Sequence, residues 1–159
     1  MANITQGFGT TGQVITITIA SLANGSSRQS TVVDNTVNLY SDALVLLKIR
    51  TGGSGTSATG VVSVYAFGTV DNTIYSENAG AVDAAITLTA NPNVRLIGIL
   101  NVAANATTYY SPVFSVASAF GGTMPAKWGI IINNGTGGTL DATAGNHSAT
   151  YQGVYVIAA

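Results

Sequence analysis

Apolar and polar residues alternate along several short segments of the chain. In residues 14–20, Ile15, Ile17 and Ile19 fall on one face of an extended backbone, and two threonines fall on the other. This period of two predicts a half-buried β-strand with one solvated face. The Asn-Gly pair that follows is typical of a tight turn, because both residues tolerate a positive φ.

The most regular alternation lies in residues 43–51. One face is wholly apolar, and the other changes from apolar to basic along its length. The two faces consist of Ala43, Val45, Leu47 and Ile49 on one side and of Leu44, Leu46, Lys48 and Arg50 on the other. This pattern predicts a strand whose second face leaves a packed region toward solvent or a partner.

Two further strands are predicted near the carboxy terminus, in residues 127–133 and 150–157. The first is rich in β-branched residues, which suits a buried strand. Gly, Thr, Asn and Ala residues fill the segment between them and predict a long loop. We expect Trp128, Tyr151 and Tyr155 to face the core or a sheet surface, and the rest of the chain to be built around these two strands.

The middle of the chain contains more strand-like segments, separated by turns rich in Gly or Asn. Residues 94–102 are apolar on both faces, which predicts a central strand. Residues 79–85 are the one segment with a predicted helical turn. The other candidate strands are residues 31–40, 61–67, 73–75, 86–90 and 112–120.

Eight to ten short strands with almost no helix predict an all-β fold, specifically an antiparallel β-sandwich of the jelly-roll type. Residues 13–159 are predicted to form this single domain. Residues 1–12 show no alternation around Phe8, and we expect them to form an extended amino-terminal arm.

Composition narrows the possible functions. Only 7% of the residues are charged, against about 25% in ordinary globular proteins, and the net charge is −1. Nucleic-acid binding, which needs clustered Lys and Arg, is not expected. We expect no membrane span and no signal peptide, because no apolar run is long enough and no basic flank is present. A nearly neutral surface favours association with other proteins.

Candidate catalytic groups are few. His147 lies close to Asp141 and Ser148, but a catalytic serine needs an imidazole that is oriented from its far side by the acid, and adjacent residues point in different directions. The six acids occur in separate turns, and the chain has one histidine and no cysteine. We therefore expect no enzyme activity, no metal site and no cofactor.

Five residues are candidate interface residues. Phe8 is the one aromatic residue of the arm, and Lys48 and Arg50 are the one close pair of basic residues. Tyr109 and Tyr110 precede Pro112 outside any regular alternation, so at least one ring is expected at the surface. Exposed tyrosine serves a protein interface or stacks on a sugar.

The carboxy-terminal region resembles small virion structural proteins of tailed bacteriophages, in particular the head decoration or cement group. The resemblance lies in residues 124–137, which read Met-Pro-Ala-Lys-Trp-Gly-Ile-Ile-Ile-Asn-Asn-Gly-Thr-Gly, and in the Gly-Asn-His and Tyr-Gln-Gly-Val-Tyr segments that follow. It implies a jelly-roll or related sandwich fold and an oligomer on the capsid shell.

From this resemblance we expect a protein that is made in the host cytoplasm and binds the outer surface of a phage head. Its partners would be the major capsid protein and itself, as a homotrimer at local three-fold positions. The alternative is a tail or host-recognition module that binds carbohydrate, because tail components share this composition. Tyr109, Tyr110 or loop Asn and Asp residues would then contact the sugar.

Overall fold

The computed structural model describes residues 3–158 and consists of two antiparallel β-sheets packed face to face. The twelve strands are β1 (Ile4–Phe8), β2 (Gln13–Val14), β3 (Ser27–Gln29), β4 (Val33–Asp34), β5 (Asp42–Arg50), β6 (Gly60–Thr69), β7 (Ala84–Ile86), β8 (Arg95–Val102), β9 (Thr108–Tyr110), β10 (Phe114–Ser115), β11 (Lys127–Gly135) and β12 (Ser148–Ala158). The helical segments of this part of the chain are three short 3₁₀ turns, Ser76–Asn78, Ala117–Phe120 and Ala144–Asn146.

The strand order is that of a jelly roll. The pairs β1/β2, β3/β4 and β9/β10 each act as one interrupted strand, because both members of a pair bond to the same neighbour. Counted in this way, with β7 as an added edge strand, eight principal strands follow the order 1-8-3-6 in the first sheet and 2-7-4-5 in the second. Strands that are consecutive in the chain thus repeatedly change sheets, as two Greek keys require. The predicted all-β sandwich is confirmed.

The core lies between the two sheets. Ala43, Val45, Leu47 and Ile49 on β5 are at most 1% exposed, as their alternation predicts. Trp128 on β11 is 1% exposed, and its ring meets the ring of Tyr151 on β12 edge to face, with 5.3 Å between centroids. The two carboxy-terminal strands therefore occupy interior positions in opposite sheets and join them.

The amino terminus differs from the predicted arm. Ile4–Phe8 forms the edge strand β1 and pairs with β12 in register from Ile4 opposite Ala158 to Phe8 opposite Val154. Residues 4–8 thus belong to the sandwich, because their backbone groups complete the edge of the first sheet. Residues 1 and 2 of the predicted arm, and residue 159 of the predicted domain, lie outside the described residues.

Several predicted elements are wrong in detail, among them residues 73–75, which form no strand. Residues 94–102 form an edge strand, β8, which pairs only with β6, and Leu96 and Ile99 are 49% and 41% exposed. Residues 79–85 form no helical turn and enter β7 instead. In residues 14–20 the strand β2 ends at Val14, because the segment after it crosses from one sheet to the other. Ile15 and Ile19 are nevertheless buried, as predicted.

Candidate interaction surface

The outer face of the first sheet points away from the core and carries apolar side chains that are open to solvent. The strand register shows which side chains are neighbours on this face. For example, Val14 lies opposite Thr150, and Thr150 lies opposite Leu46. Side chains that lie opposite each other share one face. The apolar residues of this surface, the apolar face, are Ile4, Phe8, Val14, Leu44, Leu46, Tyr110, Val113 and Val156.

Exposure of these side chains is unusual for a protein that acts alone. All members except Leu44 are between 41% and 75% exposed, and they occur on neighbouring strands. Monomeric soluble proteins rarely expose extended apolar surface, and exposed patches mark interaction sites. Leu44, Leu46 and Val113 also line a shallow depression of about 290 Å³ near the middle of the face. The depression gives a partner side chain a place to pack.

The middle of the outer face of the second sheet is covered by the chain itself. Phe67 and Ile131 on this face are fully buried, because residues 70–94 fold over them. Tyr75, Ala79 and Val94 from that segment complete a small second core. The two sheets therefore differ in extent: residues 70–94 cover the middle of the second sheet's outer face and leave Leu96 and Ile99 at its β8 edge exposed, whereas the apolar side chains of the first sheet's outer face are open to solvent on several neighbouring strands.

Four of the five candidate interface residues lie on the outer face of the first sheet. Phe8 is 53% exposed and Tyr110 is 67% exposed, and Tyr110 lies directly opposite Lys48. Lys48 Nζ donates to the carbonyl oxygen of Gly145 at 2.9 Å. The apolar surface thus has a basic margin at the end of β5, as the change along that strand predicts.

The structure separates Tyr109 from this group. Its ring packs against the core, and its hydroxyl oxygen accepts hydrogen bonds from the backbone N–H groups of Ala103 and Ala104 at 3.0 and 2.9 Å. Arg50 is also engaged, since its Nε lies 3.5 Å from Asp141 Oδ2. Tyr110 is the tyrosine of the pair that a partner can reach.

Sequence reasoning missed Ile4, Val14, Val113 and Val156 as surface residues. Three of them lie within predicted strands and Ile4 lies in the predicted arm, but local patterning does not show which face of a strand stays uncovered. Only the register of β1, β2 and β12 places Ile4, Val14 and Val156 on one surface. The basic end of β5 was the one sequence signal for this face.

A second set of exposed apolar side chains lies on loops at the end of the sandwich where β5 begins. Val37 and Leu39 are 86% and 73% exposed, and Val70 and Ile74 are 98% and 76% exposed. The strands that lead into these loops, β4 and β6, lie on either side of β11 at Lys127. The loop tips therefore extend the surface available to a partner beyond the sheet.

All six acidic side chains accept hydrogen bonds from the protein. The carboxylates of Asp34, Asp42, Asp71, Glu77, Asp83 and Asp141 bond to nearby backbone N–H groups, hydroxyls, an amide or a guanidinium. Most of these bonds close turns, which is the usual role of Asp beside small polar residues. The acids therefore stabilise loops.

His147 likewise has a structural role. Its Nε2 lies 2.9 Å from the backbone carbonyl oxygen of Asp141, and its Nδ1 accepts from the backbone N–H of Arg50 at 3.4 Å. The carboxylate of Asp141 instead bonds to Thr143 and Asn146. The imidazole thus joins the loop before β12 to β5, and the acid does not orient it toward Ser148.

Several carboxyl groups and one tyrosine have pKa values that are shifted in the folded protein. The backbone N–H groups of Ile74 and Thr73 hold the pKa of Asp71 far below its usual value. Hydrogen bonds likewise lower the pKa values of the carboxyl groups of Asp34, Glu77 and Asp141. Burial raises the pKa of the Tyr151 phenol, and Tyr40 raises it further.

Stability is therefore expected to fall at both extremes of pH. Lowered carboxyl pKa values contribute stability that is full above the unfolded pKa of about 4 and is lost as pH falls below it. The raised pKa of Tyr151 contributes stability that is full below about pH 10 and is lost as pH rises further. Urea unfolding between pH 2 and 11 checks this, and an unfolding free energy that stays constant down to pH 2 would contradict it.

Within residues 3–158, no group of three or more histidine or acidic side chains is arranged to hold a metal ion. No helix in the same range is long and apolar enough to cross a membrane. Comparisons of the chain with protein-family models, with curated proteins and with solved structures found no match. The function proposed next is therefore inferred from the apolar face, the internal hydrogen bonding and the carboxy-terminal residue pattern.

Proposed function

We propose that this protein is a capsid decoration protein that binds the outer surface of a phage head and stabilises contacts between major capsid protein subunits. The observation that carries the proposal is the apolar face. An exposed apolar sheet surface fits a broad contact with another protein better than it fits a small ligand. The resemblance of residues 124–137 to virion proteins supplies the class of partner.

The rigidity of the domain supports this role. At the end opposite the apolar loop tips, the loops are tied together by buried side chains. Thr51 Oγ1 donates to the carbonyl oxygen of Ala104, and the Asn134 amide donates to those of Leu22 and Gly138. A protein that holds two subunits together must resist deformation, and buried side-chain hydrogen bonds of this kind add stiffness to the loops.

The low surface charge supports it as well. Ion pairs between exposed groups weaken as salt screens them, whereas an apolar contact is little affected. Three of the five basic side chains lie in internal ion pairs, namely Arg28 with Asp83, Arg50 with Asp141 and Lys127 with Asp34. Attachment through the apolar face is therefore expected to persist from low to high ionic strength.

The same features favour assembly over catalysis. The acids and the one histidine are engaged in bonds that shape loops, and the surface depressions beside β7 and beside residues 35–40 are open to solvent. In this proposal the chain stabilises an expanded head against internal DNA pressure by adding contacts between capsomers.

The test is to add the purified protein to expanded capsids that lack it, and then to heat them. We expect the protein to sediment with the capsids at both 50 mM and 500 mM salt and to raise their rupture temperature. No co-sedimentation and an unchanged rupture temperature would overturn the proposal. Selective binding on a glycan array, with no capsid binding, would favour a carbohydrate-binding tail module through Tyr110.

A further inference from the structure

The two sheets have four edges in the described part of the chain, and three of them carry features that discourage pairing with another strand. β7 has only three residues. β8 has Arg95 and a bulge, where Gly98 lies opposite Val64 but Leu96 lies opposite Tyr65. The edge formed by β9 and β10 is interrupted at Pro112. Short strands, bulges, charges and proline all protect sheet edges.

The edge at β1 has none of these features. Its five residues, Ile4–Phe8, contain no charge and no proline, and they pair with β12 without a register shift. In the sequence Ile-Thr-Gln-Gly-Phe, the apolar residues Ile4 and Phe8 are at the two ends of the strand, and the polar residue Gln6 is at its centre. An unprotected edge of this kind is a template for a further strand.

The direction of the free backbone groups follows from the hydrogen bonds on the other side of β1. Gly9 N–H donates to the carbonyl oxygen of Gly153 at 2.8 Å, and these residues continue the same register. Because hydrogen-bonded pairs alternate along an antiparallel ladder, the N–H and C=O groups of Thr5 and Gly7 also point toward β12. Ile4, Gln6 and Phe8 therefore direct their N–H and C=O groups away from the sheet.

We propose that β1 pairs with β1 of a second copy of this chain, antiparallel, about a two-fold axis at Gln6. Gln6 then lies opposite Gln6 of the partner subunit, and Ile4 lies opposite Phe8 of the partner subunit. These three pairs use every outward backbone group of the strand and form about six hydrogen bonds. A shift by one residue would bring together groups that face the wrong way, and a shift by two would lose one of the pairs.

The side chains agree with this register. A β-branched residue opposite an aromatic residue is a favourable cross-strand pair, and two glutamine amides can bond to each other. No charge in β1 meets a like charge across the axis. The proposed pair is therefore self-complementary in both its backbone and its side chains, as a two-fold contact must be.

The contact would join the first sheets of two copies into one continuous sheet. The two-fold axis of such a pair runs perpendicular to the sheet, so both apolar faces point to the same side. Two copies would then present one surface of twice the width to a partner. This self-association does not depend on the proposed capsid role, and it closes with two chains where the resemblance implied three.

Light scattering on the full chain tests the contact. We expect a mass of twice the 16.0 kDa of one chain for the unmodified protein. Gln6→Lys and Gln6→Glu each place like charges on the axis, and each is expected to give the mass of one chain. An equal mixture of the two variants is expected to restore the doubled mass. Asn101→Lys, a change at an exposed position on β8 of the second sheet, is the control and should leave the dimer intact.

A cysteine variant gives an independent readout, since the chain contains no cysteine. In a hydrogen-bonded antiparallel pair the Cα atoms lie about 5.5 Å apart, which suits a disulfide. Gln6→Cys should therefore cross-link into a two-chain species under oxidation, and Asn101→Cys should not. A single-chain or three-chain mass for the unmodified protein, or a dimer that survives Gln6→Lys, would overturn the proposal.

Discussion

Replacement of Trp128 by alanine is expected to lower the free energy of unfolding by about 3–5 kcal/mol. Trp128 is 1% exposed and is the largest fully buried side chain. It lies on β11 in the second sheet and contacts Tyr151 on β12 in the first. Its removal would leave a cavity between the sheets, because the close-packed side chains around it cannot move far enough to fill the space.

Urea unfolding, followed by circular dichroism, measures this loss. Trp128→Phe keeps an aromatic ring and should cost distinctly less. Val14→Ala, at a 73% exposed position, should change the free energy by no more than about 0.5 kcal/mol. A loss below about 1 kcal/mol for Trp128→Ala would mean that the two sheets do not depend on this contact.

Replacement of Asn134 by aspartate is expected to cost at least about 3 kcal/mol of stability near neutral pH. Asn134 is fully buried at the end of β11. Its Nδ2 donates to the carbonyl oxygens of Leu22 and Gly138 at 2.8 and 2.9 Å, and its Oδ1 accepts from Thr136 N–H at 3.0 Å. Aspartate would place a buried charge and an acceptor against two carbonyl oxygens.

The matched control is Asn101→Asp, because Asn101 is exposed on β8. The same chemical change there should leave the urea midpoint almost unchanged. The loss at position 134 should also become smaller at low pH, since a protonated aspartate can donate one of the two missing bonds. Equal, small effects at both positions would contradict the structural role assigned to Asn134.

The sandwich and much of its core were predictable from the sequence because burial leaves a periodic pattern. The alternation of β5 identified both its buried face and the basic end of its outer face. Trp128 was predicted to be buried from its place in a β-branched segment. Such predictions succeed where one face of a strand is fully covered by the other sheet.

The position of a strand within a sheet was not predictable in the same way. β8 is apolar on both sides and yet lies at an edge, with Leu96 and Ile99 exposed. Periodicity reports which side chains are apolar and cannot say whether a neighbouring strand covers them. For the same reason β1, whose pattern is weak, was expected to be an arm although it completes the first sheet.

The candidate surface was predictable only in part. Phe8, Lys48, Arg50 and Tyr110 were recognised as single residues, and they lie on one face because distant segments pair in register. Tyr109 and Tyr110 were both candidates, with at least one ring expected at the surface, and Tyr110 is the exposed one because consecutive residues of a strand point to opposite faces. Which surface remains uncovered depends on where residues 70–94 pack, and this was not visible in the local sequence.

Binding of a charged variant to expanded capsids tests the central claim most directly. Leu46 lies in the middle of the apolar face and lines its depression, whereas Asn101 lies on the other sheet. With co-sedimentation as the readout, Leu46→Asp is expected to weaken binding at least about tenfold, which corresponds to about 1.4 kcal/mol. Val113→Asp, at a more exposed position of the same face, provides a second variant if the first is unstable. The account predicts that Asn101→Asp binds like the unmodified protein; equal binding by all three variants, or no binding by the unmodified protein, would contradict it.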